Sequence, residues 1–154
     1  MKVLRQLLSS LKRKKQTIAV IESVTGGYVS YLFTRLPGAS QVFSLGLIPY
    51  ALGAKKKLFT ISEAYLKETQ GVSEYLAGQL AKKVRTLAGT DFGASIVGFA
   101  GPQAPRGMKG MVCMAVADRH TVYTAHKKFK GPRDRIRRRA SFALIRFIAH
   151  TLTR

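Results

Sequence analysis

The chain has 154 residues, of which 27 are Lys or Arg and seven are Asp or Glu, so its formal net charge is +20 at pH 7. Hydrophobic residues make up 46% of the chain, which excludes a disordered basic tail and predicts one folded domain over residues 1–154. One cysteine and three scattered histidines exclude a disulfide within the chain and predict no metal site. No apolar run approaches the roughly 20 residues that a membrane-spanning helix requires.

The first 15 residues are basic and contain no acid. Leu4, Leu7, Leu8 and Leu11 lie at helical spacing, which predicts an amphipathic helix that docks on the core. A basic, acid-free N-terminus is also typical of a mitochondrial transit segment. We expect a folded first helix, and an organellar location is a second possibility.

A strand, a glycine-rich turn and a helix follow in order. Thr17–Ile21 (TIAVI) is apolar, β-branched and bounded by charge, which predicts a buried strand. Glu22–Gly27 (ESVTGG) predicts a turn at the end of that strand. Tyr28–Leu36 predicts a helix that ends before Pro37.

The rest of the chain alternates strands and helices. The predicted elements are a strand at Phe43–Tyr50, a short helix containing Lys55–Lys57, a helix that Ser73 caps, a strand at Phe92–Phe99, a hairpin of Gly110–Val116 and Thr121–Ala125, and a helix at Asp134–Leu152. One face of the Ser73 helix carries Leu76, Leu80, Val84 and Leu87. We therefore expect an α/β domain, a sheet flanked by helices in a three-layer-like arrangement.

The cations lie in several clusters rather than in one tail. A polyanion would relieve the repulsion among so many unpaired charges, which favours contacts with RNA phosphates over reading of bases. The alternative is a solvated surface that keeps the protein soluble. The candidate RNA contacts are Lys12, Arg13, Lys14, Lys15, Lys56, Lys57, Lys127, Lys128, Lys130, Arg135, Arg138 and Arg139.

The segment ESVTGG is the motif with the clearest chemical content. It places two hydroxyl groups and two glycines where a strand feeds a helix, and backbone N–H groups at such a point favour an anion. Ser23 is a candidate nucleophile if a base lies beside it. The simpler interpretation is a tight turn in which Ser23 or Thr25 caps the helix.

Lys55 is the candidate base. Burial or neighbouring cations lower the pKa of a lysine, and Lys56 and Lys57 follow it directly. Tyr50 is the second candidate in this segment. A solvated lysine run and a tyrosine that packs at a strand end are the simpler interpretations of these residues.

Together these pieces resemble the C-terminal domain of the competence/damage-inducible protein CinA, the nicotinamide-nucleotide amidase family. The resemblance extends from about Leu4 to Leu152, and its specificity lies in the order and spacing of several short segments. They are ESVTGG at Glu22–Gly27, FSLGLIPYALGAK at Phe43–Lys55, GVSE at Gly71–Glu74, GFAGP at Gly98–Pro102 and GPRDRIRRRA at Gly131–Ala140.

The resemblance implies an α/β fold, frequent self-association and a hydrolase that needs no metal or other cofactor. Active members of the family release ammonia from the carboxamide of nicotinamide mononucleotide and leave nicotinate mononucleotide. The residues that carry over are Ser23 as nucleophile, Tyr50 and Lys55 as its activators, Thr25, Gly26 and Gly27 as site lining, and Arg133 and Arg137 as phosphate contacts.

The chain also departs from the family pattern. Ala51 and Leu52 stand where the family has Ser and Asn, Val97 replaces a hydroxyl residue, and Gln103-Ala104 replaces Gly-Gly. Because each lost buried hydrogen bond costs about 1–3 kcal/mol, several losses weaken a pocket.

Two main functions are compatible with these observations. The preferred one is a member with weakened or lost catalysis that binds RNA phosphates in a ribonucleoprotein such as a ribosome, in a mitochondrion or another ribosome-containing compartment. The alternative is an active nicotinamide mononucleotide amidohydrolase in the cytoplasm. A regulator that binds the nucleotide without turnover is a third. A homo-oligomer is compatible with each, and a membrane partner is not expected.

Overall fold

A computed structural model describes residues 1–152, which form six α-helices, a short 3-10 turn at Ala39–Gln41 and one five-stranded sheet. The elements in chain order are α1 (Lys2–Lys14), β1 (Ile18–Glu22), α2 (Tyr28–Thr34), β2 (Phe43–Leu47), α3 (Leu52–Phe59), α4 (Glu63–Thr69), α5 (Glu74–Ala88), β3 (Phe92–Gly98), β4 (Met111–Ala117), β5 (Val122–Lys128) and α6 (Arg133–Leu152).

The sheet is mixed, with strand order β2-β1-β3-β4-β5. The strand β1 pairs parallel with both β2 and β3, whereas β3, β4 and β5 pair antiparallel. All five residues of β1 are buried, as its apolar sequence predicts. The carboxyl ends of the three parallel strands meet at one edge of the sheet, where ligands bind in open α/β folds.

Two apolar cores cover the two faces of the sheet, which confirms the expected sheet flanked by helices. One core contains residues of α1, α2 and α6, and the other contains residues of α3, α4 and α5. The four leucines of α1 are at most 4% exposed, so the first helix is part of the fold. Within residues 1–152, no helix is long and apolar enough to cross a bilayer.

Three local expectations differ from the structure. The strand predicted to reach Tyr50 ends at Leu47, because Pro49 lacks the N–H group that a continuing strand needs. The helix α4 was not predicted, although Ser62 caps it by accepting a hydrogen bond from the Tyr65 N–H at 3.4 Å. Leu87, expected on the inner face of α5, is 63% exposed, because it lies in the last turn at the margin of the buried face.

Candidate active site

Ser23 is the first residue after β1, at the carboxyl edge of the parallel strands. Its N–H donates to the carbonyl of Ile96 at 3.0 Å, which ties it to the neighbouring strand. The Gly26 N–H donates to the Ser23 carbonyl at 3.0 Å and closes a turn. The hydroxyl of Ser23 is thereby placed where the chain leaves the sheet.

Glu22, the last residue of β1, organises the start of α2. The residue has no exposed surface. One carboxylate oxygen accepts hydrogen bonds from the Thr25 hydroxyl at 2.6 Å and from the N–H groups of Gly27 and Val29 at 3.1 and 2.9 Å. The other accepts from the N–H and hydroxyl of Ser30, both at 2.7 Å. The anion expected at this helix start is therefore the carboxylate of the chain itself.

The expected contact of Thr25, Gly26 and Gly27 with substrate is corrected by this arrangement. The Thr25 side chain is fully buried and donates to Glu22 instead of facing a ligand. Gly26 and Gly27 have φ values of +60° and +94°, which favour glycine, and the Gly27 N–H is already bound to Glu22. These three residues shape the turn that carries Ser23.

Lys55 lies on α3 and is brought to Ser23 across 32 residues of sequence. Its Nζ donates to Ser23 Oγ at 3.1 Å and to the Tyr50 carbonyl at 3.2 Å. The residue is 2% exposed, and burial lowers the pKa of its ammonium to about 8. About a tenth of Lys55 is therefore neutral at pH 7 and about half at pH 8, and the neutral amine is able to accept a proton from the serine.

Burial of the Lys55 ammonium lowers the free energy of unfolding, and comparison with a Lys55 variant measures by how much. We expect Lys55→Met to raise the free energy of unfolding by about 1–2 kcal/mol at pH 7, since it removes a desolvated ammonium but also two hydrogen bonds. The folded pKa of about 8 lies below the unfolded value of 10.5, so the unfolded chain binds more protons between those values. Wild-type stability rises with pH across that window.

The difference in the free energy of unfolding between Lys55→Met and wild type should therefore have its full value below pH 8 and shrink towards pH 10.5. Urea denaturation at pH 7 and pH 10 measures it. Lys57→Met, at an exposed position of the same helix, is the matched control. A variant less stable than wild type at pH 7 would show that the lysine is not destabilising where it lies.

The pair lies in a pocket of about 600 Å³. Its walls come from the turn after β1, the start of α3, the α4–α5 connection and the segment after β3. The lining residues are Ser23, Val24, Tyr50, Leu52, Lys55, Gln70, Gly71, Gly98, Phe99, Ala100, Gly101, Pro102, Gln103 and Arg133. Within residues 1–152, no three His, Cys, Asp or Glu side chains converge to hold a metal ion.

Tyr50 and Arg133 meet at the mouth of this pocket. The Tyr50 hydroxyl accepts a hydrogen bond from Arg133 Nη2, and Arg133 Nη1 donates to the Gly101 carbonyl at 2.6 Å. The Tyr50 side chain is 55% exposed. The family resemblance implies Tyr50 as an activator of Ser23, whereas in this structure the Tyr50 hydroxyl bonds to Arg133 and the Tyr50 carbonyl bonds to Lys55.

The pocket wall formed by the α4–α5 connection was not assigned from the sequence. Gln70 and Gly71 join α4 to α5, and the Leu52 side chain packs on Gly71, where a Cβ would lie 2.6 Å from Leu52 Cδ2. The GVSE segment that begins at Gly71 was recognised as a landmark but not as lining. The signal in the sequence was Gly71, because a glycine indicates a turn, and here its φ is +72°.

Arg137, expected beside Arg133 as a phosphate contact, does not line the pocket. It is half-buried, and its Nη2 donates to the Thr25 carbonyl at 3.0 Å. The guanidinium therefore contacts the back of the turn that carries Ser23.

Several of the candidate RNA contacts have partners within the chain. The Nζ atoms of Lys12 and Lys14 lie 3.5 Å from the carbonyls of Pro37 and Leu152, and Lys128 Nζ donates to a loop carbonyl at 2.6 Å. Others, such as those on the outer side of α6, are exposed. The exposed set includes Arg13, Lys15, Lys57, Lys127, Lys130, Arg135, Arg138 and Arg139, while Lys56 pairs with Glu63.

Solved structures share this fold. The competence damage-inducible protein A from Klebsiella pneumoniae matches with a TM-score of 0.93 at 20% identity, over 99% of this chain and 96% of that one. A competence or damage-inducible protein from Enterobacter asburiae matches with a TM-score of 0.87 at 26% identity, over 97% and 96%. The first match, at its low identity, shows the fold alone.

Curated relatives are similar in sequence. A CinA-like protein from Anaeromyxobacter dehalogenans is 35% identical over 144 residues, which are 92% of this chain and 35% of that protein. One from Geobacter metallireducens is 38% identical over 123 residues, which are 79% and 30%. The chain spans about a third of the length of these relatives.

The preferred hypothesis of a ribonucleoprotein subunit is wrong. The similar proteins carry the names of CinA-like and competence-damage inducible proteins, and those names indicate neither a ribosome nor an RNA-binding role. Composition misled here because net charge is a property of the whole surface and does not identify a partner. The comparisons favour the amidohydrolase alternative.

A family model, described as the CinA C-terminal domain, matches residues 1–152. The matched residues include the turn with Ser23, the helix with Lys55, and Arg133 and Arg137 of α6. The chain belongs to the CinA C-terminal domain family.

Proposed function

We propose that the chain is a serine–lysine amidohydrolase that converts nicotinamide mononucleotide and water to nicotinate mononucleotide and ammonia. The observation that carries the proposal is the contact of Lys55 Nζ with Ser23 Oγ at 3.1 Å, inside a pocket, by a lysine whose pKa burial lowers to about 8. A hydroxyl nucleophile with an adjacent base is the arrangement that acyl transfer needs.

In the first half of the reaction, Ser23 Oγ attacks the carboxamide carbon while its proton passes to the neutral amine of Lys55. The tetrahedral intermediate then collapses with cleavage of the C–N bond. Protonated Lys55 gives its proton to the departing nitrogen, which leaves as ammonia. An ester on Ser23 remains.

In the second half, water attacks that ester while Lys55 accepts a proton from the water. Collapse of the second intermediate breaks the bond to Ser23 Oγ, and the carboxylic acid product leaves and loses its proton to solvent. Lys55 returns the proton to the serine oxygen, so the site is regenerated without any other group.

The backbone after the nucleophile supplies a donor for the negative oxygen of both intermediates. The Val24 N–H has no acceptor among residues 1–152, and Val24 lines the pocket. A free N–H directly after the nucleophile is the position from which α/β-hydrolases contact an oxyanion. We assign this N–H the same role.

The pocket has the size and polarity for a nucleotide carrying a carboxamide. Its volume of about 600 Å³ lies within the range of small-molecule sites. Ser23 and Lys55 supply the reacting groups, and apolar atoms of Leu52, Phe99 and Pro102 lie along the walls. Arg133, at the mouth, is the pocket's arginine and the assigned phosphate contact.

Ammonia release from nicotinamide mononucleotide by the purified chain tests the proposal. We expect turnover that Ser23→Ala abolishes, with nicotinate mononucleotide as the second product. Binding of the nucleotide without ammonia would favour the nucleotide-binding regulator instead. Absence of both binding and turnover between pH 6 and pH 10 would remove the proposed substrate.

Replacing Arg133 separates phosphate binding from chemistry. We expect Arg133→Met to raise KM for nicotinamide mononucleotide by about 10–100-fold with kcat within about threefold, because a lost charge-assisted contact costs about 1.5–3 kcal/mol. Nicotinamide riboside, which lacks the phosphate, serves as the comparison substrate. Its kcat/KM should hardly change in this variant.

Arg135→Met, at an exposed position of the same helix, is the control for the loss of one positive charge. An equal loss on the phosphorylated and unphosphorylated substrates would contradict the assignment of Arg133 to the phosphate.

A further inference from the structure

Arg133 and Arg137 of α6 contact different parts of the site, although one helical turn separates them. Arg133 lines the pocket and donates to the Gly101 carbonyl on its far wall. Arg137 lies behind the pocket and donates to the Thr25 carbonyl at 3.0 Å. The two side chains are therefore not equivalent phosphate contacts.

The Thr25 carbonyl belongs to the four-residue turn that begins at Ser23. Gly26 closes that turn by donating to the Ser23 carbonyl at 3.0 Å. The Arg137 guanidinium lies directly on this backbone, since a Cβ at Gly26 would be 2.9 Å from Arg137 Nη2. A shift of Arg137 is thus transmitted to the turn without any intervening side chain.

Arg137 has no carboxylate partner among residues 1–152, where the ion pairs involve Lys56, Lys67 and His126. Its recorded hydrogen bond goes to one backbone carbonyl. Glu22 also holds the turn, through the Thr25 hydroxyl and the N–H groups of Gly27 and Val29. The nucleophile turn is therefore held by two groups, a buried carboxylate at the Thr25 hydroxyl and a guanidinium at the Thr25 carbonyl.

We propose that Arg137 is a positioning residue that keeps Ser23 Oγ aligned with Lys55 by fixing the Thr25 carbonyl, and that it does not bind the substrate phosphate. This inference rests on the proposed function for its choice of substrate. The effect of losing Arg137 falls on the chemical step, because misplacement of a reacting atom by about 1 Å costs about 100-fold in rate.

The test compares Arg137→Met with Arg137→Lys. We expect Arg137→Met to lower kcat for nicotinamide mononucleotide by about 30–100-fold with KM within about twofold. Arg137→Lys should keep kcat within about fivefold of wild type, because one donor suffices for one carbonyl. A phosphate contact that uses the planar fork of arginine would not be rescued in this way.

A second readout does not depend on the substrate. Phenylmethylsulfonyl fluoride is uncharged: Ser23 Oγ bonds to its sulfur, fluoride leaves, and Lys55 accepts the serine proton. The labelling rate, followed by intact mass, should fall in Arg137→Met by the same factor as kcat. Arg138→Met, at an exposed neighbouring position, should change neither rate.

Each outcome decides between the roles. A rise in KM for the nucleotide with unchanged labelling would make Arg137 a phosphate contact and overturn the inference, as would unchanged kcat and labelling together. If Arg137→Met does not fold, a tenfold rise of KM in Arg137→Lys overturns it. Wild-type protein that is labelled but releases no ammonia would contradict the proposed substrate, while labelling still tests Arg137. Unlabelled wild type would contradict both.

Discussion

Replacement of Lys55 by Met is expected to lower kcat for nicotinamide mononucleotide by about 10³–10⁵-fold, as is replacement of Ser23 by Ala. The two groups act as one unit, since the lysine activates the serine and also protonates the departing nitrogen. The double variant should consequently be no slower than either single variant, because groups that act together are strongly non-additive.

The comparison of Lys55→Met with Lys55→Arg identifies what the lysine contributes. Arginine keeps a positive charge and hydrogen-bond donors, but it does not lose its proton near neutral pH. If Lys55 acts as a base, Lys55→Arg is as inactive as Lys55→Met. Recovery of more than about a tenth of wild-type kcat by arginine would show that Lys55 supplies only charge or a hydrogen bond. Lys57→Met, at an exposed position of the same helix, should retain full activity.

The pH profile gives an independent check of the same prediction. Because burial lowers the pKa of Lys55 to about 8, its neutral and therefore reactive form increases as pH rises through that value. We expect kcat/KM to rise about tenfold per pH unit below pH 7 and to level off above pH 9. A profile that is flat from pH 6 to pH 10 would contradict lysine as the base.

The sequence locates the nucleophile turn well, because its signals are local. An apolar run bounded by charge specifies β1, and two glycines specify positive φ values at the next turn. Ser23 and Lys55 were placed in the same site through the family resemblance, and their 3.1 Å contact emerges only when the fold brings Lys55 of α3 to the turn after β1. Periodicity within one segment contains no information on such a distance.

The roles of the α6 arginines depend on tertiary structure in the same way. Arg133 and Arg137 stand in one short motif, yet one reaches Tyr50 across 83 positions of sequence and the other reaches Thr25 across 112. The group that each arginine reaches depends on how α6 packs against α2 and the strands β3 and β4. The motif alone therefore indicates cations near the site, whereas the division of roles between them needs the fold.

The sequence contained a signal for the structural role of Glu22 at the start of α2. In a chain with seven acids, one of them ends a fully buried strand and precedes two hydroxyl residues and two glycines. A carboxylate at that point can accept hydrogen bonds from the free N–H groups of the next helix. The role of Glu22 in this structure is to accept those N–H groups at the start of α2.

We therefore expect replacement of Glu22 to have the second large effect. This effect is on the stability of the fold rather than directly on turnover. Both carboxylate oxygens accept hydrogen bonds, and three of the five donors are backbone N–H groups that cannot rotate away. In Glu22→Gln an NH₂ group replaces one oxygen and faces at least one of those donors. We expect the free energy of unfolding to fall by about 2–3 kcal/mol in urea denaturation.

Glu22→Ala should cost about 4–5 kcal/mol, since it leaves all three N–H groups without an acceptor and adds a cavity. The control is Glu68→Gln, an exposed position on α4, which should change stability by less than about 0.5 kcal/mol. A Glu22→Gln protein as stable as wild type would mean that the carboxylate does not hold the start of α2. The turn would then owe its shape to Arg137 and the two glycines, and Ser23 would stay aligned without the buried acid.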